Sequence, residues 1–563
     1  VSGLIDGAVG WPAEFAAAYQ EAGYWRNETL GELLREWAQR YGETTALVSG
    51  VDQIGYRELD ERANAVAAGL LDRGITQGDR VVVQLPNTAT FVVLLFALAR
   101  IGAVPVLALP AHRRTEIAHL AGLAEAVGYI VADTDRGFDY RDLADEVTAL
   151  VPSVRHVLVD GELGRFGGQP GWASLADVAG DPTAVTEPVD PAAVAVLLVS
   201  GGTTGKPKLI SRTHNDYAYN ARASAELCGV TAQDRYLVCL PVAHNFPLAC
   251  PGLLGTLGVG GTVVLCPAPS ADVAFDLIER ERVTVTALVP PLARLWVEAA
   301  SWAPADLSSL RLLQVGGAKL DANLAGRIPE TLGCHVQQVF GMAEGLLNFT
   351  RLDDPAEVVQ TTQGRPLSPA DEIRVVDRQG HEVEAGAVGE LLTRGPYTPR
   401  GYYRAAEYNA TAFTEDGFFR TGDLVRRLAS GNLVVEGRVK DVINRGGENV
   451  PALELEEHLL TCPGVAQVAV VGLPDPMLGE AVCAAVVATA DGRPTLSSVR
   501  THLAERGLAQ FKHPDRLIVL DELPLTAVGK INKQQLVVRL RTERKRAATQ
   551  PVDPLAERRT SHS

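Results

Sequence analysis

The chain reads as an α/β protein with mainly parallel sheets, followed by a smaller α+β unit near its C-terminal end. Three observations lead there. Apolar, β-rich runs alternate with longer helical patterns through most of the chain. Those runs are continuously apolar, so their strands are expected to have helices on both faces. After "NLVVEGRVKDVINRGGENV" (432–450) the texture shifts to a short helix followed by closely spaced strands.

Each element has its own signal. "YRELDERANAVAAGLLDRG" (56–74) and "DVAFDLIERER" (272–282) carry helical periodicity. "RVVVQL" (80–85), "AVAVLLVS" (193–200), "VTVTALVP" (283–290), "RLLQVGG" (311–317) and "QQVFGM" (337–342) are strand runs. The most apolar stretch, Phe91–Pro110, is split by Arg100, with Gly102 and Pro105 shortly after it, so it is expected to be a buried helix running into a buried strand and not a membrane span. In the smaller unit, "ALELEEHLL" (452–460) is a helix, and "VAQVAVVGL" (465–473), "CAAVVATA" (483–490) and "RLIVLDELP" (516–524) are strands. The expected organisation is a large domain over 1–437, a junction at 438–440, a small domain over 441–538 and a polar, disordered tail over 539–563.

At 563 residues the chain exceeds what one core supports, and 46% hydrophobic with 21% charged residues suits a globular protein. Its 52 basic and 68 acidic residues leave a formal charge of −16, which argues against a sequence-independent grip on nucleic acid. The basic run Arg541–Arg546 reads as a solvated end. Seven dispersed cysteines without Cys-x-x-Cys spacing suggest reduced thiols in a cytoplasm, with no zinc site or disulfide framework. The start, "VSGLIDGAVGWPAEF", lacks a basic region followed by an apolar core, so no signal peptide is read.

The loop "SGGTTGKPK", Ser200–Lys208, resembles a phosphate loop but departs from the Walker pattern, with Ser200 where a glycine is needed and Pro207 where a hydroxyl residue is needed. A glycine-rich turn after a strand exposes backbone N–H groups to phosphate oxygens, and Lys206 or Lys208 adds charge. Further on stand "QVGGAKL" (314–320), "QQVFGMAEG" (337–345), "TRGPYTPRGYY" (393–403), "GFFRTGDLV" (417–425), "GRVKDVINRGGENV" (437–450) and "PLTAVGKINK" (524–533). In this order and spacing the motifs resemble the adenylate-forming superfamily, over about residues 30 to 535.

That resemblance implies ATP and Mg²⁺, and a carboxylate that attacks the α-phosphorus to give an acyl-adenylate and pyrophosphate. It implies that Ser200, Gly201, Gly202, Thr203, Thr204, Gly205 and Lys208 handle the phosphates. Gly316, Gly317 and Ala318 would wall the adenine opposite Phe340, with Gly341, Met342 and Val435 beside the nucleotide. Asp423 would accept from the ribose hydroxyls with Arg438 assisting, and Glu344 would bind the magnesium. Lys530 matches the catalytic lysine between substrate carboxylate and α-phosphate, where charge neutralisation is what two approaching anions require. Lys440 matches the hinge about which a mobile small domain turns, so that Lys530 leaves and "NRGGENV" enters to admit a thiol.

Within the superfamily, "VAHNFPLACPG" (242–252) resembles the stand-alone aryl acid AMP ligases of siderophore assembly, most nearly those activating salicylate for mycobactin synthesis. It offers no aspartate for an α-ammonium. By that resemblance Asn245 donates to a 2-hydroxyl, Phe246 packs near the ring, and Cys250, Gly316, Gly317, Ala343 and Leu347 line the acid pocket. His244 is placed on the pocket's phosphate side. The acceptor implied is the phosphopantetheine thiol of an aryl carrier protein supplied in trans. A 2,3-dihydroxybenzoate-AMP ligase, an aryl-CoA ligase and a non-catalytic ligand-binding relative stay open as alternatives, the last opposed by intact Lys530, Glu344 and Asp423.

Overall fold

The computed structural model describes residues 4–200, 207–445, 448–475, 477–490, 492–506, 508–526 and 529–549. It divides into two compact bodies, residues 1–435 with 527–530, and 436–526 with the remainder. Each is considered by itself.

Two large sheets build the first body. One has nine strands in the spatial order Arg365–Pro366, Gly345–Phe349, His335–Met342, Leu312–Gly316, Val285–Leu288, Arg235–Val238, Thr262–Leu265, Thr45–Ser49 and Asp52–Gly55. The other has eight, in the order Tyr402–Tyr403, Leu209–Thr213, Val194–Val199, Val104–Leu107, Arg80–Gln84, Gly128–Ala132, His156–Asp160 and Trp172–Ser174. Their central strands pair in parallel; antiparallel strands close three of the four margins, and Trp172–Ser174 closes the fourth in parallel. A four-stranded sheet, Glu372–Val376, Val388–Arg394, Phe419–Arg427 and Leu433–Arg438, follows.

Helices cover the sheets as the continuous apolar runs require. Helix Ala89–Arg100, capped by the Thr88 hydroxyl, is buried from Phe91 to Arg100 and leads into the buried strand Val104–Leu107. Arg100 survives in this core because its guanidinium meets the Asp60 carboxylate and donates to the Gly31 carbonyl at 2.8 Å. Among the described residues no helix is long and apolar enough to cross a membrane.

In the second body, strands Glu448–Pro451, Val442–Arg445, Gly479–Ala488 and Val465–Asp475 form a sheet, and Arg516–Leu520 joins it beside Gly479–Ala488. Helices Ala452–Leu460 and Leu496–Glu505 pack with it around Val468, Val482 and Leu503. The last helix, Lys533–Thr549, extends into the stretch expected as a disordered tail from 539. Leu536 and Leu540, one turn apart, are buried with Val471 and Cys483 and anchor that face of the helix. The basic run 541–546 therefore lies on a helix.

Candidate functional site

The phosphate-loop candidate does follow a strand, as the sequence suggests, but it leads into a second strand before any helix. Val194–Val199 returns directly as the antiparallel strand Leu209–Thr213, with Val199 opposite Leu209, and only then does helix His214–Leu227 begin. The loop is thus a hairpin connection at the C-terminal end of a strand that is parallel to Val104–Leu107. Its ends are clamped reciprocally: Ser200 N–H donates to the Lys208 carbonyl at 2.9 Å, and Lys208 N–H donates to Ser200 Oγ at 3.0 Å. Gly201, Gly202, Thr203, Thr204, Gly205 and Lys206 lie outside the described residues. Lys208 Nζ stands 3.9 Å from the centre of the Tyr408 ring, a cation–π contact that holds the charge beside the hairpin.

Tyr402 connects this hairpin to Glu344. Its backbone pairs with Ile210, and its hydroxyl donates to Glu344 Oε1 at 2.7 Å. Tyr402 belongs to the "TRGPYTPRGYY" motif, which sequence reasoning had quoted without giving the tyrosine a task. Glu344 is a half-buried carboxylate with one oxygen so engaged. Among the described residues no group of three or more His, Cys, Asp or Glu is arranged to hold a metal. A lone carboxylate suits an ion whose other ligands are phosphate oxygens, the usual preference of magnesium.

The nucleotide-wall residues converge from adjacent strands. Gly316 ends its strand opposite Val339, and Gly317 has φ +85°, a conformation that favours glycine. A methyl on Gly316 would fall 2.6 Å from the Val339 carbonyl oxygen and 3.1 Å from the Phe246 ring, so only glycine lets these walls meet. One on Gly317 would come 2.9 Å from Lys530 Cε, which places the lysine stem along this turn. Ala318 follows directly. Phe340, Met342 and Val435 pack on one cluster with Leu346 and Val425. Gly341 pairs with Leu347, whose Cδ2 lies 2.4 Å from where a Gly341 methyl would be. Asp423 is 4% exposed on strand Phe419–Arg427, its N–H donating to Thr421 Oγ1 at 3.0 Å. Arg438 and Lys440 belong to the second body, at the end of strand Leu433–Arg438 and in the turn Val439–Asp441, both exposed.

The acid-pocket candidates form a buried set. His244 caps helix Asn245–Ala249: its Nδ1 accepts the Phe246 N–H at 3.2 Å. Burial, with the Lys530 charge adding to it, pulls the imidazole pKa down to about 3. His244 is therefore neutral near pH 7, and because Nδ1 accepts, its proton sits on Nε2 as a donor. Asn245 Oδ1 accepts from the Tyr217 hydroxyl at 2.9 Å, and its Nδ2 reaches Cys250 Sγ at 3.5 Å. The Cys250 thiol donates to the Asn245 carbonyl at 3.5 Å, and burial pushes its pKa up to about 12.

Beneath this pocket lies an ion pair that sequence reasoning missed. Arg212 Nε donates to Asp216 Oδ1 at 2.6 Å with both side chains fully buried. Asp216 also accepts from Thr213 N and Oγ1, at 2.6 and 2.8 Å. Arg212 reaches the Ala343 carbonyl at 3.1 Å and Asn220 Oδ1 at 3.2 Å, and Asn220 Nδ2 donates to the Ala249 carbonyl at 2.7 Å. One guanidinium thus ties the turn at Ala343, through Asn220, to the end of helix Asn245–Ala249. The only prior signal was an Arg-x-x-x-Asp spacing in "LISRTHND", common enough on its own to mean nothing.

The AMP-binding enzyme family matches residues 34–403 and the AMP-binding enzyme C-terminal domain matches 454–530, and the chain belongs to this family of adenylate-forming enzymes. It is 53% identical to the "Salicyl-AMP ligase / salicyl-S-ArCP synthetase" of Mycobacterium tuberculosis, over 96% of this chain and 95% of that one. It is 51% identical to the "2,3-dihydroxybenzoate-AMP ligase" of Bacillus subtilis, over 95% and 97% of the two chains. The apo structure of Mycobacterium smegmatis MbtA superposes with a TM-score of 0.73 at 53% identity, covering 95% of this chain and 99% of that one.

Proposed function

We propose that this chain is an aryl acid AMP ligase that converts salicylate and ATP to salicyl-AMP and pyrophosphate, then passes the salicyl group to the phosphopantetheine thiol of a carrier protein in trans, in siderophore-type biosynthesis. The observation that carries the reading is the buried amide of Asn245. It meets Tyr217 and Cys250, neither of them a carboxylate that could hold an α-ammonium, and Phe246, Ala343 and Leu347 are the further residues that the resemblance assigns to the acid. Asn245 offers its remaining N–H to the acid's 2-hydroxyl oxygen, and the ring lies between Phe246 and the Gly316 wall. The relative from M. tuberculosis supports salicylate, and the one from B. subtilis supports 2,3-dihydroxybenzoate as the second reading.

The acid enters as its carboxylate, so no general base is needed. Lys530 bridges the carboxylate and the α-phosphate and offsets the charge of two approaching anions. His244, neutral, donates from Nε2 on the phosphate side. Ser200, Lys208 and the glycine-rich residues between them hold the β- and γ-phosphates. Asp423 accepts from the ribose hydroxyls, and Arg438 assists as a donor. Magnesium would be held by Glu344 and phosphate oxygens, and when bound it screens the phosphate charge. For the second half-reaction a rotation of the small domain about Lys440 draws the Lys530 loop out of the site and opens a path for the thiol. The thiol sulfur attacks the acyl carbon, and AMP leaves.

ATP–pyrophosphate exchange over a panel of acids tests the reading. Salicylate is expected to exchange fastest, 2,3-dihydroxybenzoate next, and aliphatic and amino acids at background. Exchange led by an aliphatic acid, or none with any aryl acid, would overturn it.

A further inference from the structure

We infer that Tyr217, which contacts no reacting atom, sets the donor–acceptor polarity of the acid pocket by fixing which end of the Asn245 amide faces the substrate. The inference rests on the reading of Asn245 as the residue that meets the acid's 2-substituent. An asparagine amide can present either its oxygen or its NH₂ with nearly the same shape, so something must choose. Here two contacts choose alike. The Tyr217 hydroxyl donates to Asn245 Oδ1 at 2.9 Å. Cys250 spends its proton on the Asn245 carbonyl, which leaves the sulfur to accept from Nδ2.

Tyr217 is itself held. It is fully buried on helix His214–Leu227, and the Arg212 guanidinium carbon lies 4.8 Å from its ring centre. The pairing of Arg212 with Asp216 immobilises that cation in turn. Burial keeps the phenol protonated, so its hydroxyl is a donor throughout the working pH range. Rotating the Asn245 amide would turn its NH₂ towards this hydroxyl, whose oxygen could accept it, but the buried phenol proton would then lose the Oδ1 acceptor it has here. The rotated oxygen would meet a sulfur whose proton is already given to the Asn245 backbone carbonyl, so the flip costs a hydrogen bond at each end.

The consequence is selection by hydrogen-bond polarity and not by size. In salicylate the 2-hydroxyl donates to the molecule's own carboxylate and its oxygen can accept from Nδ2. In 2-aminobenzoate one N–H makes the same internal bond, but the second N–H points at the Asn245 NH₂, and the nitrogen lone pair is a weak acceptor. The two acids are almost equal in volume. A pocket with a fixed N–H donor separates them; a pocket whose amide can turn does not.

The test is pyrophosphate exchange with benzoate, salicylate and 2-aminobenzoate, in the unmodified enzyme and in Tyr217→Phe, Asn245→Ala and the double variant. In the unmodified enzyme salicylate should lead 2-aminobenzoate by roughly a hundred-fold in kcat/KM, the upper order set by one buried polar group left unsatisfied. Tyr217→Phe should cut that ratio by about ten-fold, with 2-aminobenzoate gaining in absolute kcat/KM. In the Asn245→Ala background, Tyr217→Phe should change neither acid, because the tyrosine acts through the amide. Salicylate no better than benzoate in the unmodified enzyme would sink the reading of Asn245 itself. Salicylate far above benzoate but level with 2-aminobenzoate would leave that reading standing and overturn the fixed polarity, and this comparison needs no variant to fold. A Tyr217→Phe enzyme that slows on both acids equally, or that does so in the Asn245→Ala background as well, would reduce Tyr217 to a packing residue.

Discussion

Cys250→Ser combined with Leu347→Val should move the enzyme's preference from salicylate towards 2,3-dihydroxybenzoate. Cys250 is 1% exposed and Leu347 2%, so both changes act in the interior, where the proposed function places the acid. The extra 3-hydroxyl of dihydroxybenzoate, set against the Cys250 thiol, finds only a weak partner, which costs on the order of 1–3 kcal/mol. Serine supplies a hydroxyl that donates and accepts. It is also shorter, so it draws back from the 3.5 Å contacts that the thiol makes with Asn245 and leaves space for the added oxygen. Leu347→Val removes one methylene, about 0.8 kcal/mol of buried apolar contact that salicylate also loses. It also withdraws the δ-methyl now lying over Gly341. Together the changes should shift the ratio of kcat/KM by roughly ten-fold or more, equivalent to ~1.4 kcal/mol. The assay is pyrophosphate exchange with each acid in the unmodified, single and double variants. A ratio unmoved in the double variant would refute the assignment of Cys250, and an unmodified enzyme that already prefers dihydroxybenzoate would refute the choice of salicylate.

Three further outcomes are expected. Lys530→Ala should lose adenylation by orders of magnitude while transfer from presynthesised salicyl-AMP to the carrier thiol persists; equal loss of both would show that one arrangement serves both steps. Lys440→Pro, which restrains φ at an exposed turn, should do the reverse, sparing pyrophosphate exchange and slowing thioester formation. Buried His214 and His244 each have a folded pKa of about 3, against roughly 6.5 in the unfolded chain. The unfolded chain therefore binds more protons between those values, and stability should be full above pH 6.5 and fall as pH drops through that window. His214→Asn keeps an acceptor for the Leu30 N–H and should make the acid limb of urea midpoints shallower; an unchanged limb would count against the assignment.

The large features were legible because they rest on local physics. Apolar continuity in Val194–Val199 and Leu312–Gly316 announces strands covered on both faces, and the glycines at 316 and 317 announce close backbone approach. The hairpin at Ser200–Lys208 was harder to read. "LISRT" is short, polar at three positions and fused to a helical run, so its pairing with Val194–Val199 is a tertiary fact. The same holds for the groups behind the acid pocket. Tyr217 and Asn245 are 28 residues apart, and Tyr402 and Glu344 are 58 apart. Neither separation leaves a periodic trace. The terminal helix escaped because two leucines in a highly charged stretch look incidental until both are seen buried.

All seven cysteines are free and buried, and burial holds Cys228, Cys250, Cys334 and Cys483 in the protonated form well past neutral pH. In an enzyme whose proposed acceptor is itself a thiol, this has a practical meaning. The folded ligase presents no competing sulfhydryl to a carrier's pantetheine arm, so the two proteins can meet repeatedly without being trapped as a mixed disulfide. An alkylating reagent added to a loading reaction should therefore mark the unloaded carrier and leave the ligase unlabelled, making disappearance of the label a direct clock for acyl transfer.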